Sequence, residues 1–292
     1  MFEKIMFPTD FSEVSTHALE NCIPKLFEMG TKEIIVIHVV DILPSQYMIM
    51  EELEMEAKKK LDKIIEDLKS KGINATGNVY LGSITPTIVE EARCPYLEII
   101  DRGVCEMVDL IVIPSKGKNL KRLTQIGNTA LNVVRKSSIP VLLLKYDWNR
   151  EKNSLEFYGD CGRMFEKPLI ALDLSPCSDL IISVVRRFSE KIKHAKLYHV
   201  VDYGDVEKME ENIEKAKNAL SLYAKKLDFD CDTEVDVGIA SKEILAKIVE
   251  YKPSMLVIGK TGRGFLREIL LGGTADALIR EAKIPILVVP CR

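Results

Sequence analysis

Gly259-Lys260-Thr261-Gly262 is followed, after nine residues, by Gly272-Gly273-Thr274. The motif comes after the short apolar run 255–258 and leads into a helical pattern. Glycine has no Cβ, so its amide can approach a ligand closely and its backbone can take positive φ. A helix start offers unpaired amides and the positive end of the helix dipole. Glycine turns set between a strand and a helix therefore read as a phosphate cradle. The Gly-Lys-Thr triplet invites a P-loop reading, but that motif needs another glycine five residues before Gly259. Position 254 is Ser254, and 255–258 is too apolar to be that loop. The dinucleotide pattern G-x-G-x-x-G also fails on spacing.

The cradle has a second copy. Residues 114–145 align with 259–290 without a gap. Gly117 falls opposite Gly262, Arg122 opposite Arg267, Gly127 opposite Gly272, and Thr129-Ala130 opposite Thr274-Ala275. Arg135 matches Arg280, and Ile139-Pro140 matches Ile284-Pro285. Upstream, His38-Val39-Val40-Asp41 matches His199-Val200-Val201-Asp202, and Asp10-Phe11-Ser12 matches Asp173-Leu174-Ser175. The same order in both halves indicates a duplication.

The elements that must position these residues alternate between strand and helix signals. In the first half, strands are expected at 5–8, 33–39, ending at 79–81, at 110–113 and at 141–144. Helices are expected at 12–27, 50–71, from 84 towards 105 with a break at Pro95, and at 129–136. In the second half, 169–172 opens the same series, and Ser175-Pro176 reads as a helix start with Ser as N-cap and Pro as the first helical residue. Continuous apolar strands separated by helices imply an α/β fold with a mainly parallel sheet covered on both faces. Residues 147–167 carry turn residues and charges with little periodicity. They read as a linker between domains 1–146 and 168–292, with Trp148 docking it. The first half is longer, chiefly around residues 85–95.

Bulk composition narrows the function classes. A chain of 292 residues accommodates two ordinary domains. A net charge of −3 argues against a broad nucleic-acid surface. The N-terminus reads as a first strand and not as a signal peptide. No apolar run approaches the roughly 18 residues of a membrane span. Seven cysteines, an odd number without paired spacing, suggest packing residues in a reducing cytoplasm. The four histidines lack metal-ligand spacing, and His38 and His199, inside apolar strands, read as satisfied core residues.

In open α/β sheets, ligands bind beyond the carboxyl ends of the strands, where the strand order reverses. Asp10 and Asp173 follow the first strand of each half, Val39 and Val200 finish the second, and the glycine loop follows the fourth. If strands one and four are neighbours, these points converge. A carboxylate there suits ribose hydroxyls, strand-end backbone suits a base edge, and glycine amides suit phosphates.

Together, Pro8-Thr9-Asp10-Phe11-Ser12, His38-Val39-Val40-Asp41, G-x-x-G-x9-G followed by a small residue, and the closing Ile-Pro-Val-Leu-Leu and Ile-Pro-Ile-Leu-Val-Val strands resemble the universal stress protein family. The resemblance spans nearly the whole chain as a tandem pair. It implies two open parallel five-stranded sheets of order 3-2-1-4-5, paired within one chain as family members pair through the last strand; a homodimer is a further arrangement. It also implies ATP or AMP as ligand, with magnesium as an option, held in the second half by Asp173, Val200, Gly259, Gly262, Gly272, Gly273 and Thr274. The family pattern has Ser or Thr where this chain has Gly273, and one hydrogen bond lost to a charged group is worth roughly 1.5–3 kcal/mol.

The first half departs further. Pro114 replaces the first glycine and removes an amide, and Asn128 stands in the Ser/Thr position. Thr9, Asp10, Val39, Gly117, Gly127, Asn128 and Thr129 remain as a second candidate nucleotide site, with Lys116, Lys118, Lys121 and Arg122 as anion-attracting charges or as a solvated surface. The expected function is a nucleotide-binding, stress-response regulatory protein without nucleic-acid or membrane partners. The alternatives are a scaffold that binds no nucleotide and a slow ATP hydrolase, for which Asp173 and Thr274 are the only candidates to orient water.

Overall fold

The computed structural model describes residues 1–41, 49–94, 107–117, 126–202, 208–261 and 271–291. The chain forms two compact units, Met1–Glu156 and Phe157–Arg292.

Unit 1 opens with β1 (Lys4–Pro8), α1 (Glu13–His17), a π-helical turn at Ala18–Cys22, and α2 (Ile23–Glu28). It continues through β2 (Glu33–Val40), α3 (Met50–Ser70), β3 (Ala75–Leu81), α4 (Ile84–Arg93) and β4 (Leu110–Pro114) to α5 (Asn128–Lys136) and β5 (Val141–Leu144). The sheet order is β3-β2-β1-β4-β5, with every pair parallel. All five residues of β1 and of β4 are buried, which explains their unbroken apolar character: both faces are covered. The helix expected over 12–27 starts on Ser12, whose hydroxyl accepts from the Ser15 amide, but it contains a π turn. Pro24 cannot donate to the carbonyl one turn back, and a wider turn precedes it.

After unit 1's sheet come β6 (Tyr146–Asn149) and β7 (Ser154–Phe157), which pair as a two-stranded sheet within the stretch that lacked periodicity. Strands this short carry too little alternation to read from sequence.

Unit 2 repeats the plan with β8 (Pro168–Ala171), α6 (Cys177–Arg186), β9 (Ala195–Val201), α7 (Met209–Ala224), β10 (Cys231–Val237), α8 (Ala240–Tyr251), β11 (Met255–Gly259), α9 (Gly273–Glu281) and β12 (Ile286–Val289). Its order is β10-β9-β8-β11-β12, again parallel. The order expected for each half is therefore present. The outer strand β10 carries Asp232, Glu234 and Asp236, charges suited to an edge.

Two expectations need correction. The cap position of α6 falls on Pro176, one residue later than expected, although the Ser175 hydroxyl, which donates to Asp173, still accepts from the Cys177 amide at 3.2 Å. The extra length of unit 1 does not lie at 85–95. Residues 84–93 form α4, the counterpart of α8, since each follows the third strand of its unit at the same distance. The gap from Arg93 to Leu110 is much longer than that from Tyr251 to Met255, so the insertion falls after the helix, largely on 95–106, outside the described residues. Among the described residues no helix is long and apolar enough to cross a membrane.

Candidate functional site

In each unit the first strand has the second and the fourth as neighbours. The connections leave it in opposite directions, which opens a crevice at the carboxyl ends of strands. A cleft of about 460 Å³ lies there in unit 2, lined by Asp173, Val200, Gly259, Gly272, Gly273 and Thr274. One of about 630 Å³ in unit 1 is lined by Thr9, Asp10, Val39, Gly117, Gly127, Asn128 and Thr129. Both volumes lie in the range of small-molecule sites. Gly262, and with it Lys118, Lys121, Arg122 and Arg267, lies outside the described residues.

The turn after β8 explains how Asp173 is aimed. The Leu172 amide donates to the Tyr198 carbonyl at 2.9 Å, and His199 Nδ1 meets the Leu172 carbonyl at 2.7 Å. Leu174 takes φ 60°, a left-handed conformation that costs a branched side chain on the order of 1–3 kcal/mol. That kink turns Asp173 over the start of α6. Its Oδ1 accepts from the Ser175 amide at 3.1 Å and from the hydroxyls of Ser175 at 2.7 Å and Ser178 at 3.3 Å. Its Oδ2 is buried with no partner among the described residues.

The base of the glycine loop is closed by backbone bonds. The Lys260 amide donates to Val289 and the Gly272 amide to Lys260, at 2.8 and 2.9 Å. Gly272 caps α9, so the first amides of that helix, those of Gly273 and Thr274, open on the cleft. A Cβ at Gly273 would meet no atom of the described residues within 4 Å. Gly259 is different: a Cβ there would lie 2.7 Å from the Cys177 sulfur and 3.1 Å from that of Cys291.

Cys177 and Cys291 form a disulfide, with Cα atoms 4.9 Å apart. Cys22, Cys94 and Cys161 are disulfide-bonded as well, and among the described residues Cys231 is the free cysteine. The expectation of unpaired packing cysteines is therefore wrong, and the compartment drawn from it loses its support. Parity and spacing do not see which helix starts and strand ends the fold brings together. One signal was available in the sequence: the repeat places Val14 opposite Cys177 and Tyr146 opposite Cys291, so both cysteines belong to one copy only.

Unit 1 uses the same framework differently. Asp10 Oδ1 accepts from the Ser12 amide at 3.0 Å and the Ser15 hydroxyl at 2.7 Å, and His38 Nδ1 meets the Thr9 carbonyl at 2.7 Å. Phe11 has φ 58° and stacks on His38 with ring centroids 4.2 Å apart. Gly117 packs against Oδ2 of Asp10 so closely that a methyl group there would collide with the carboxylate. Lys116 is no anion trap: it is buried, and its Nζ pairs with Asp147 at 2.5 Å. The wall formed by Glu56 and Lys60 of α3 was not legible in the sequence, because only packing brings a surface-patterned helix to the cleft.

Titratable groups around these sites show where charge is costly. Burial and the neighbouring Lys116 push the Lys145 amine down to about 8. Burial pushes the Tyr198 hydroxyl upward, and its bond to Asp236 adds to that. Among the described residues no group of three or more His, Cys, Asp or Glu side chains is arranged to hold a metal ion.

The model of the Universal stress protein family matches residues 1–145 and 164–290. Universal stress protein MJ0577 of Methanocaldococcus jannaschii is 29% identical over 169 residues, which cover 50% of this chain and 96% of that protein. Universal stress protein MJ0531 of the same organism is 28% identical over 153 residues, covering 50% of this chain and 83% of the relative. The crystal structure of a universal stress protein from Archaeoglobus fulgidus superposes with a TM-score of 0.70 at 20% identity, over 98% of this chain and 96% of that one. That likeness is one of fold.

Proposed function

The chain belongs to the universal stress protein family, and from that premise we propose that it is a regulatory protein that binds an adenine nucleotide, ATP or AMP, mainly in unit 2. The observation that carries this reading is Oδ2 of Asp173, a carboxylate oxygen buried without a partner among the described residues, on a side chain that lines the cleft. A buried acceptor left unpaired costs about 1–3 kcal/mol, more when charged, so it favours a ligand that brings a hydroxyl to it. A ribose does so. The cleft also offers the backbone of Val200 at a strand end for a base edge. On its other side, Gly259 and the first amides of α9 at Gly273 and Thr274 suit phosphates, whose charge the helix dipole favours, while Gly272, its amide bonded to Lys260, holds the turn. Magnesium, where present, would be carried in with the triphosphate, shielding its charge.

Unit 1 is a weaker site on this reading. Lys116 is committed to Asp147. Pro114 lacks the amide that Gly259 offers.

Calorimetry with ATP, ADP and AMP tests the proposal. Saturable binding that weakens at least tenfold in Asp173→Ala supports it. Absence of binding at millimolar nucleotide, with no nucleotide found by native mass spectrometry in the purified protein, favours the scaffold reading instead.

A further inference from the structure

The Cys177–Cys291 disulfide sits at the joint between the two halves of the unit 2 cleft. Cys177 is the first residue of α6, two positions beyond Ser175, which holds Asp173. Cys291 follows β12, and its sulfur lies 3.4 Å from the carbonyl oxygen of Thr261 and 3.6 Å from that of Val289. Both sulfurs back onto Gly259, in the space where any side chain at that position would stand. One covalent bond thus ties the Asp173 turn to the glycine loop, and the loop rests directly on the bond.

We propose that this disulfide is a redox-sensitive positioning device for the ligand cleft of unit 2: the oxidised form holds the Asp173 turn and the Gly259–Thr261 segment in register, and reduction releases them and weakens binding. The inference rests on the nucleotide reading above for its ligand.

Bonded sulfurs stand about 2 Å apart, and once unbonded they must separate by about 1.5 Å to reach van der Waals contact. Backbone surrounds them on the Gly259 and Thr261 side, so the displacement is transmitted to the loop. Reduction also changes hydrogen bonding. In the disulfide the Cys291 sulfur has no proton, and its approach to Thr261 is contact only. As a thiol it becomes a weak donor to that loop carbonyl.

The chemistry is a thiol–disulfide exchange with a dithiol reductant. Cys177 is only 5% exposed, whereas Cys291 is partly open, so the reductant's thiolate attacks the Cys291 sulfur. The S–S bond breaks and Cys177 leaves as a thiolate, favoured by its place at the start of α6, and then takes a proton from water. The reductant's second thiolate attacks the mixed disulfide and frees Cys291, which is protonated in turn. Two electrons pass to the protein, and the reductant closes its own disulfide.

The test uses the full chain, with peptide mapping under non-reducing conditions to establish the Cys177–Cys291 link. AMP and ATP are titrated by calorimetry into oxidised protein, into dithiothreitol-treated protein, and into the Cys177→Ser, Cys291→Ser double variant. Dithiothreitol should weaken binding at least fivefold in the wild type. The double variant should bind like the reduced protein and ignore dithiothreitol, which separates this bond from the chain's other disulfides. By linkage, saturating nucleotide should disfavour reduction of this bond by the same factor. Equal affinity in oxidised and reduced wild type overturns the proposal, as does a double variant that binds like the oxidised protein. Amide hydrogen exchange of a peptide spanning 259–261 is read in parallel without ligand and should quicken at least tenfold on reduction. Failure of all nucleotide binding with that quickening present removes the nucleotide reading alone; unchanged exchange removes the positioning role itself.

Discussion

Oδ1 of Asp173 takes the Ser175 hydroxyl at 2.7 Å, and that bond fixes the carboxylate, whose Oδ2 is buried and has no partner among the described residues. Substituting Asp173 therefore tests two roles at once. Asp173→Asn keeps an acceptor for Ser175 but loses the charge, whereas Asp173→Ala loses both. Adenine nucleotide affinity should fall by roughly 1.5–3 kcal/mol in Asp173→Ala, about tenfold or more. In the wild type, 2′,3′-dideoxy nucleotides should bind worse than ribonucleotides, and in Asp173→Ala that preference should vanish. Calorimetry with the paired nucleotides reads both.

Gly273 stands where a hydroxyl residue is expected in the nucleotide-binding pattern, and among the described residues nothing fills the space a side chain would take there. Gly273→Ser should therefore cost no packing and supply a donor at the first turn of α9. ATP should gain affinity by about tenfold or more, and AMP much less, because only the triphosphate reaches furthest along the loop. An equal gain for both, measured by the same titrations, would place the hydroxyl elsewhere in the site.

Gly259 is required by its neighbours and not by its φ. A methyl group at 259 would press on both sulfurs of the disulfide and lie 3.3 Å from the Thr261 carbonyl. Overpacking of this kind costs typically about 1–3 kcal/mol. Gly259→Ala should lower the denaturant midpoint in the Cys177→Ser, Cys291→Ser background by less than in the disulfide-bonded protein, since unlinked side chains can move aside.

Lys145 gives the protein a pH dependence on the alkaline side. Burial first, and Lys116 second, push its amine from 10.5 down to about 8, against the opposing pull of Asp147. Below pH about 8 the amine is charged in both folded and unfolded chains, and its burial holds stability down. Between about 8 and 10.5 the unfolded chain keeps the proton that the folded chain has released, so stability rises with pH. The gain is up to about 3 kcal/mol. Urea midpoints from pH 7 to 10.5 should climb in the wild type and climb less in Lys145→Met.

Much of this was present in the chain itself. The apolar runs that became β1, β4 and β11 read as strands buried on both faces, and the matched order of Asp10 and Asp173, Val39 and Val200, and Gly127 and Gly272 disclosed a duplicated unit. His38 and His199 read as satisfied core residues; each meets a backbone carbonyl, but His38 is only half-buried and both line the clefts. Periodicity and motif order are local properties, and a sequence states them directly.

What the sequence left open depends on separations in space. Cys177 and Cys291 are 114 residues apart, yet their Cα atoms are 4.9 Å apart, because the parallel sheet sets the start of α6 beside the end of β12. The same packing gives Gly259 its steric reason, buries one oxygen of Asp173, and pairs Lys116 with Asp147. Residue types fixed which strands and loops the chain must make. Only their closure on one another decided which polar atoms were satisfied and which were left facing a cleft, because burial and hydrogen bonding are properties of neighbours in space and not of neighbours in sequence.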